Sequence, residues 1–347
     1  MAHSLVRPLA RTLCMLAVWP LGACSVSPSN PHPGATDGTL GQAESALSTL
    51  PARFARTVPW GAGAAALRLQ PRGFESVATG PDAVALTPDG NALLLDRLAG
   101  RVVLLGASGA PRQIAAVVED AQDLTTAADG SFAAFSPLRA RAWVFQPDGA
   151  PAGELEVPRT LTMLQRLSLG PSHRLAAQDG FQHTWSLGSP SAPLPLPVVL
   201  RTSREGAGFL RDGRGLECRV RDGAAELWVL AQPDAENERA RVLARHPLGG
   251  NAASARLVGA DDATACVRIE AVSSTPELAV ERRALCLDAE SGKVLLDEPL
   301  GPPGLYLPRT ELAVGGGRLG FIRPRAEGLE LRSWRLGAAP AGKEVQP

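Results

Sequence analysis

Few residues of this chain combine the type and the spacing that chemistry needs. Of five histidines, His3 and His32 lie in the N-terminal fifty residues, while His173, His183 and His246 stand far apart in the remainder. The chain holds no Gly-x-Ser-x-Gly elbow for a nucleophile, no His-Glu-x-x-His helix for a metal and no glycine-rich phosphate loop. No pair of its five cysteines has Cys-x-x-Cys or zinc-ligand spacing, so no metal centre, cofactor or catalytic set is expected. Cys266 and Cys286 lie symmetrically about Pro276, in a stretch that reads as a hairpin and would bring them opposite each other. They are expected either as a disulfide or as two small buried side chains, with Cys218 left as a buried thiol. Basic and acidic side chains number 35 each, which removes the positive footprint that nucleic-acid binding requires.

Cys24 has a different setting. Arg7 and Arg11 precede the apolar run Leu13 to Trp19, and no acidic residue occurs before Asp37. That run is too short for a bilayer, which takes about 20 apolar residues. It leads into Leu21-Gly22-Ala23-Cys24, which resembles the lipobox of bacterial lipoproteins: a leucine, two small residues and the cysteine that becomes lipidated. The resemblance implies a signal peptide over 1–23, a lipid-anchored Cys24 and, because Ser25 rather than Asp follows, the outer membrane. Loss of residues 1–23 removes two arginines and no acids, leaving a net charge of −2. Residues 24–50, rich in Ser, Pro and Gly, read as the lipidated cysteine and a solvated tether, and residues 51–347 as the folded domain.

The elements that must position any site are short and repeated. Beyond residue 80 no helical period appears; brief apolar runs alternate with Gly, Asp and Pro. Residues 81–111 give strands at Val84 to Leu86, Ala92 to Leu95 and Arg101 to Leu105, with the turn Pro88-Asp89-Gly90 between the first two. This grammar recurs, and its first-turn marker falls at Gly90, Gly130, His173, Gly213, Asp262 and Gly317. A period in the forties with three to four strands per unit is the signature of propeller blades. Trp143, Trp185, Trp228 and Trp334 each fall in the third strand of a repeat, as side chains packing between neighbouring blades would. The first repeat is similar to the NHL type of propeller through Pro81, Val84, Ala85, Leu86, Gly90 and Asp96, although Ala83 and Leu94 depart from that pattern. An all-β propeller is expected, six blades of four strands, with an N-terminal strand at Ala65 to Gln70 completing the last blade. A seven-bladed ring remains the alternative.

Aligned repeats also nominate a site. Just ahead of each innermost strand stand Asp82, Gln122, Gln165, Glu205, Ser254 and Arg309. All six are polar, and they are expected to rim one mouth of the central channel, where a mixed-charge ring could hold a small polar ligand or a partner's loop. Metal-dependent lactonases of the resembled family converge Glu, Asn and Asp ligands. Two carboxylates and no Asn in this set do not carry that activity over, and no catalytic residue is assigned. The expectation is a monomeric scaffold on the outer membrane that binds an envelope protein or a glycan; the alternative is a lactonase-, lyase- or quinoprotein-type enzyme using the channel mouth. Lipidation is checked by Cys24→Ser: the variant should leave the membrane fraction for the soluble one, and its retention in membranes would refute the anchor.

Overall fold

Five of the aligned turn markers share one backbone conformation. Gly90, Gly130, His173, Asp262 and Gly317 have φ of 80°, 86°, 58°, 47° and 65°, the left-handed region that a tight turn between right-twisted strands demands. Glycine enters it without steric cost; His173 and Asp262 hold it because the strands on either side fix the turn. The computed structural model describes residues 52–337 except 75, 107, 160–165, 179–183, 201–207, 211–213, 232–240 and 274–278. The expected signal and tether, Cys24, Gln165, His183 and Glu205 lie outside the described residues.

The described residues fold as a β-propeller of four-stranded antiparallel sheets. The first comprises Ala83–Leu86, Ala92–Asp96, Arg101–Leu105 and Arg112–Ala116, ordered from the centre outward. The second runs Asp123–Thr126, Phe132–Ser136, Arg141–Phe145 and Pro151–Glu156, and the third Arg166–Leu169, Leu175–Gln178, Thr184–Ser189 and Ala192–Leu200. The fourth consists of Gly208–Phe209, Gly215–Arg221, Ala224–Leu230 and Val242–Gly249. Ala252–Asp261, Thr264–Ser273, Ala279–Asp288 and Val294–Pro299 form the fifth. In the sixth, Leu312–Gly315, Arg318–Pro324 and Gly328–Arg335 are followed outward by a strand from the other end of the chain, Arg53–Pro59.

That last pairing runs in register from Arg53 opposite Trp334 to Pro59 opposite Gly328. An N-terminal strand does join the last sheet, but it is Arg53–Pro59 and not Ala65 to Gln70. Phe54, Thr57 and Val58 suit a pleated, half-buried edge, whereas Ala65 and Ala66 have little strand preference and follow two glycines. The later segment forms only isolated bridges, Trp60 with Leu67 and Gln70 with Thr79. Its Leu67 is 0% exposed and packs with Val58, Leu329 and Leu331 of the sixth sheet and Val84 and Leu94 of the first.

Period-two alternation buries both faces of the inner strands, and the core lies between sheets rather than at one centre. Leu95, Val102, Phe132 and Phe145 join the first and second sheets, the two phenylalanine rings stacking with centroids 4.9 Å apart. Trp143, Trp185 and Trp334 pack against the clusters between their own sheet and the preceding one. Trp228 differs: the guanidiniums of Arg219 and Arg245 lie 3.5 and 4.2 Å from its ring centroid, and its Nε1 donates to Glu226. Cys266 and Cys286 are register partners in the fifth sheet and are joined by a disulfide, and Cys218 is free and buried.

Leu67→Ala leaves a cavity where the lead-in segment meets both closing sheets. It is expected to cost about 2–5 kcal/mol. Urea titration checks this, and an unchanged midpoint would show that the segment packs only loosely.

Candidate functional site

Inner strands of the ring enclose a cavity of about 300 Å³. Its wall is mixed, with Leu86, Leu124, Leu169 and Leu257 among the apolar lining residues. Its polar lining side chains include Asp123, Arg166, Gln178 and Thr310. Asp123 and Arg166 are the first residues of the inner strands of the second and third sheets. Each follows directly on a residue of the expected rim, Gln122 and Gln165.

Asp123 is 2% exposed, and its carboxylate is held from two sheets and from the lead-in to the sixth. The backbone N–H of Leu124 donates to Oδ1 at 3.0 Å, that of Leu167 to Oδ2 at 2.7 Å, and the Thr310 hydroxyl to Oδ1 at 3.2 Å. Burial raises its pKa above the usual carboxylate range, against the opposing pull of Arg309, Arg166 and the two backbone donors. Arg166 is affected in the complementary sense, its pKa lowered by burial and partly restored by Asp123. Its guanidinium reaches across to the fifth sheet at Gly259, where a Cβ would lie 3.3 Å from Nη2, so the missing side chain makes room for the cation. The amide nitrogen of Gln178 is enclosed without a hydrogen-bond partner.

Three of the expected rim residues do meet. The backbone N–H of Arg309 donates to Asp82 at 3.2 Å, and its Nη1 donates to Gln122 at 3.1 Å. Asp82 also pairs with Arg97 at 3.1 Å. Ser254 does not join them: its hydroxyl donates to Glu270 at 2.9 Å, its cross-strand neighbour in the fifth sheet. His173 occupies a turn, and His246 is buried with Nε2 2.9 Å from the Ala289 carbonyl oxygen, which makes it a packing residue. Among the described residues no three His, Cys, Asp or Glu side chains group closely enough to hold a metal ion.

The repeats therefore led to the right end of the inner strands, and in the second and third sheets the residue after the expected one, Asp123 or Arg166, lines the cavity. Successive side chains on a strand point to opposite sides, so a one-residue offset exchanges rim for channel. The signal that distinguishes them is a charged residue opening an apolar strand, as in Asp123-Leu124 and Arg166-Leu167.

No protein-family model matches the chain, and no curated protein does. Solved structures resemble it at low identity. A streptogramin B lyase is 10% identical with a TM-score of 0.46, over 81% of this chain and 97% of that one. A gluconolactonase from Xanthomonas campestris is 13% identical with a TM-score of 0.41, over 74% and 86%. The Cps50 (Swd1) β-propeller domain of Myceliophteria thermophila is 11% identical with a TM-score of 0.42, over 78% and 99%. These likenesses assign no chemistry to residues of this chain.

Asp123→Asn tests whether the carboxylate acts as a brace. The amide keeps one acceptor oxygen and turns an NH₂ toward a backbone donor, so a loss of about 1–3 kcal/mol is expected. The pH dependence has a definite sign. A carboxyl whose folded-state pKa is raised binds its proton more tightly in the native state, so its contribution is fullest at acidic pH and declines as pH rises through the folded-state pKa. Chemical denaturation from pH 4 to 8 should show a smaller decline in the variant than in the wild type, because Asp96 contributes in both; parallel profiles would refute it.

Proposed function

We propose that this protein is a lipid-anchored propeller of the bacterial outer membrane, NHL-like in its repeats, that acts as a binding scaffold for an envelope protein or a glycan. The anchor is Cys24 and the binding element is the face of the ring where the inner strands begin. The supporting observation is how the polar groups on that face are used. Asp82, Arg97, Arg309 and Gln122 bond to one another, and Asp123 is filled by backbone and hydroxyl donors. Groups so committed stiffen a surface and are poorly placed to exchange protons with a substrate.

The same connections present apolar side chains to solvent. Phe74 and Val77 lie in the lead-in to the first inner strand, and Leu305 and Leu307 in the lead-in to the sixth. Leu138, in the turn between the second and third strands of the second sheet, falls at the same end by strand order. A stiff polar rim flanked by exposed apolar side chains fits contact with a partner better than turnover.

A photo-crosslinking residue at Leu307 should give a discrete adduct with an envelope protein or glycan in intact cells. One at Val294, at the opposite end of its sheet by strand order, should not. Equal labelling at both positions, or none at Leu307, would overturn the scaffold reading.

A further inference from the structure

Between the fifth and sixth sheets stands a guanidinium that forms no close ion pair among the described residues. Arg323 is 9% exposed, and its Nε is enclosed with no hydrogen-bond partner. Among the described residues no carboxylate lies within 4.0 Å of its side-chain nitrogens. An arginine stays charged under all ordinary conditions, so enclosure without a partner costs far more than enclosure with one. The surroundings accentuate this. Glu311 is shared by Arg268 at 2.9 Å and by Arg282, and Arg268 also reaches Glu270 at 3.4 Å. Glu330 is shared by Arg325 at 3.1 Å and Arg332 at 2.7 Å. Five arginines thus stand with three glutamates, and Arg323 is the one left out.

The backbone also passes close to this side chain. The connection after the fifth sheet runs past the guanidinium at Gly301, whose φ is 67°; a Cβ there would sit 3.1 Å from Nη1. A glycine keeps the fork clear where any side chain would crowd it. Arg282, Arg325 and Arg332 are close enough to act on Arg323, whose proton affinity is lowered first by burial and then by these like charges, against the single pull of Glu330.

We propose that Arg323, with Arg282, Arg325 and Arg332 around it, is a binding site for a doubly charged oxyanion of the phosphate type. A planar guanidinium offers paired donors that match two oxygens of such an ion, and a dianion balances the local excess of two positive charges. The site lies beside the lead-in to the sixth inner strand, on the face that the scaffold reading uses, but its test reads phosphate binding and does not depend on that reading. The ion could arrive free or as a phosphomonoester on a larger molecule.

The test uses the mature soluble form and inorganic phosphate, with chloride adjusted to hold ionic strength constant. Phosphate at about 10 mM should raise the melting temperature of the wild type. Arg323→Gln should lose the rise, while Arg53→Gln, on the outer strand and paired with Glu298, should keep it. An absent rise in the wild type, or an equal rise in Arg323→Gln, would overturn the site. Should Arg323→Gln not fold, phosphorus NMR titration of the wild type against Glu330→Gln decides. Removing that carboxylate should tighten phosphate binding, and unchanged affinity refutes the assignment. Phenyl phosphate in place of inorganic phosphate separates the sources. Binding of both means that the group can be carried on a larger molecule, and binding of inorganic phosphate alone means a free ion.

Discussion

One buried carboxylate bears on how this ring holds its centre. Asp123 opens the inner strand of the second sheet, yet its oxygens accept from Leu167 of the third sheet and from Thr310 at the entrance to the sixth. Inner strands diverge from the channel, so their first backbone N–H groups have no ladder partner on the channel side. A buried N–H left unpaired costs about as much as a lost hydrogen bond. By meeting that need for two strands and holding a hydroxyl from another sheet, Asp123 fixes where the inner strands start. Arg166 and Arg309 supply the compensating charge.

Closure of the ring presents the same problem at its outer edge. Each sheet buries apolar faces against two neighbours, so the first and last sheets are stable only once joined. The joint is made by chain ends far apart in sequence: Arg53–Pro59 covers the edge of Gly328–Arg335, and Leu67 fills the space between the two sheets. Asp96 adds to it. Fully buried, with burial raising its pKa against the pull of Arg101, it pairs with that arginine at 2.9 Å. Arg101 in turn donates to the Ala66 carbonyl oxygen and so ties the lead-in segment to the first sheet. The Asp of the repeat pattern here serves closure rather than chemistry.

Arginine, which makes up all but two of the basic residues, does much of the polar work of the fold. It stacks on Trp228, bridges carboxylates in the fifth and sixth sheets, and reaches across the channel from Arg166. Its fixed charge and forked donors suit half-buried positions that lysine would fill poorly. The overall charge balance therefore reflects local pairing rather than an inert surface, and Arg323 stands out because that pairing stops at it.

Much of the architecture was legible in the sequence because it depends on local rules. Asp-Gly and Pro-Asp-Gly turns need left-handed backbone, alternating apolar residues need a two-faced sheet, and both recur at fixed spacing; hence the repeats and the third-strand tryptophans could be read directly. The local hint that Asp123 rather than Gln122 is the channel residue is a charge opening an apolar strand, but the side of the strand that faces the centre is set by neighbouring sheets. Nor could local pattern choose Arg53–Pro59 over Ala65 to Gln70 as the closing strand, since the choice rests on register with residues 328–335. The meeting of Asp82, Gln122 and Arg309 followed from aligning the repeats, whereas the isolation of Arg323 arises between adjacent sheets. Sequence by itself determined the repeating unit, because turns and strand period are short-range. Tertiary structure alone decided which side chains share a site, because that depends on how the ring closes.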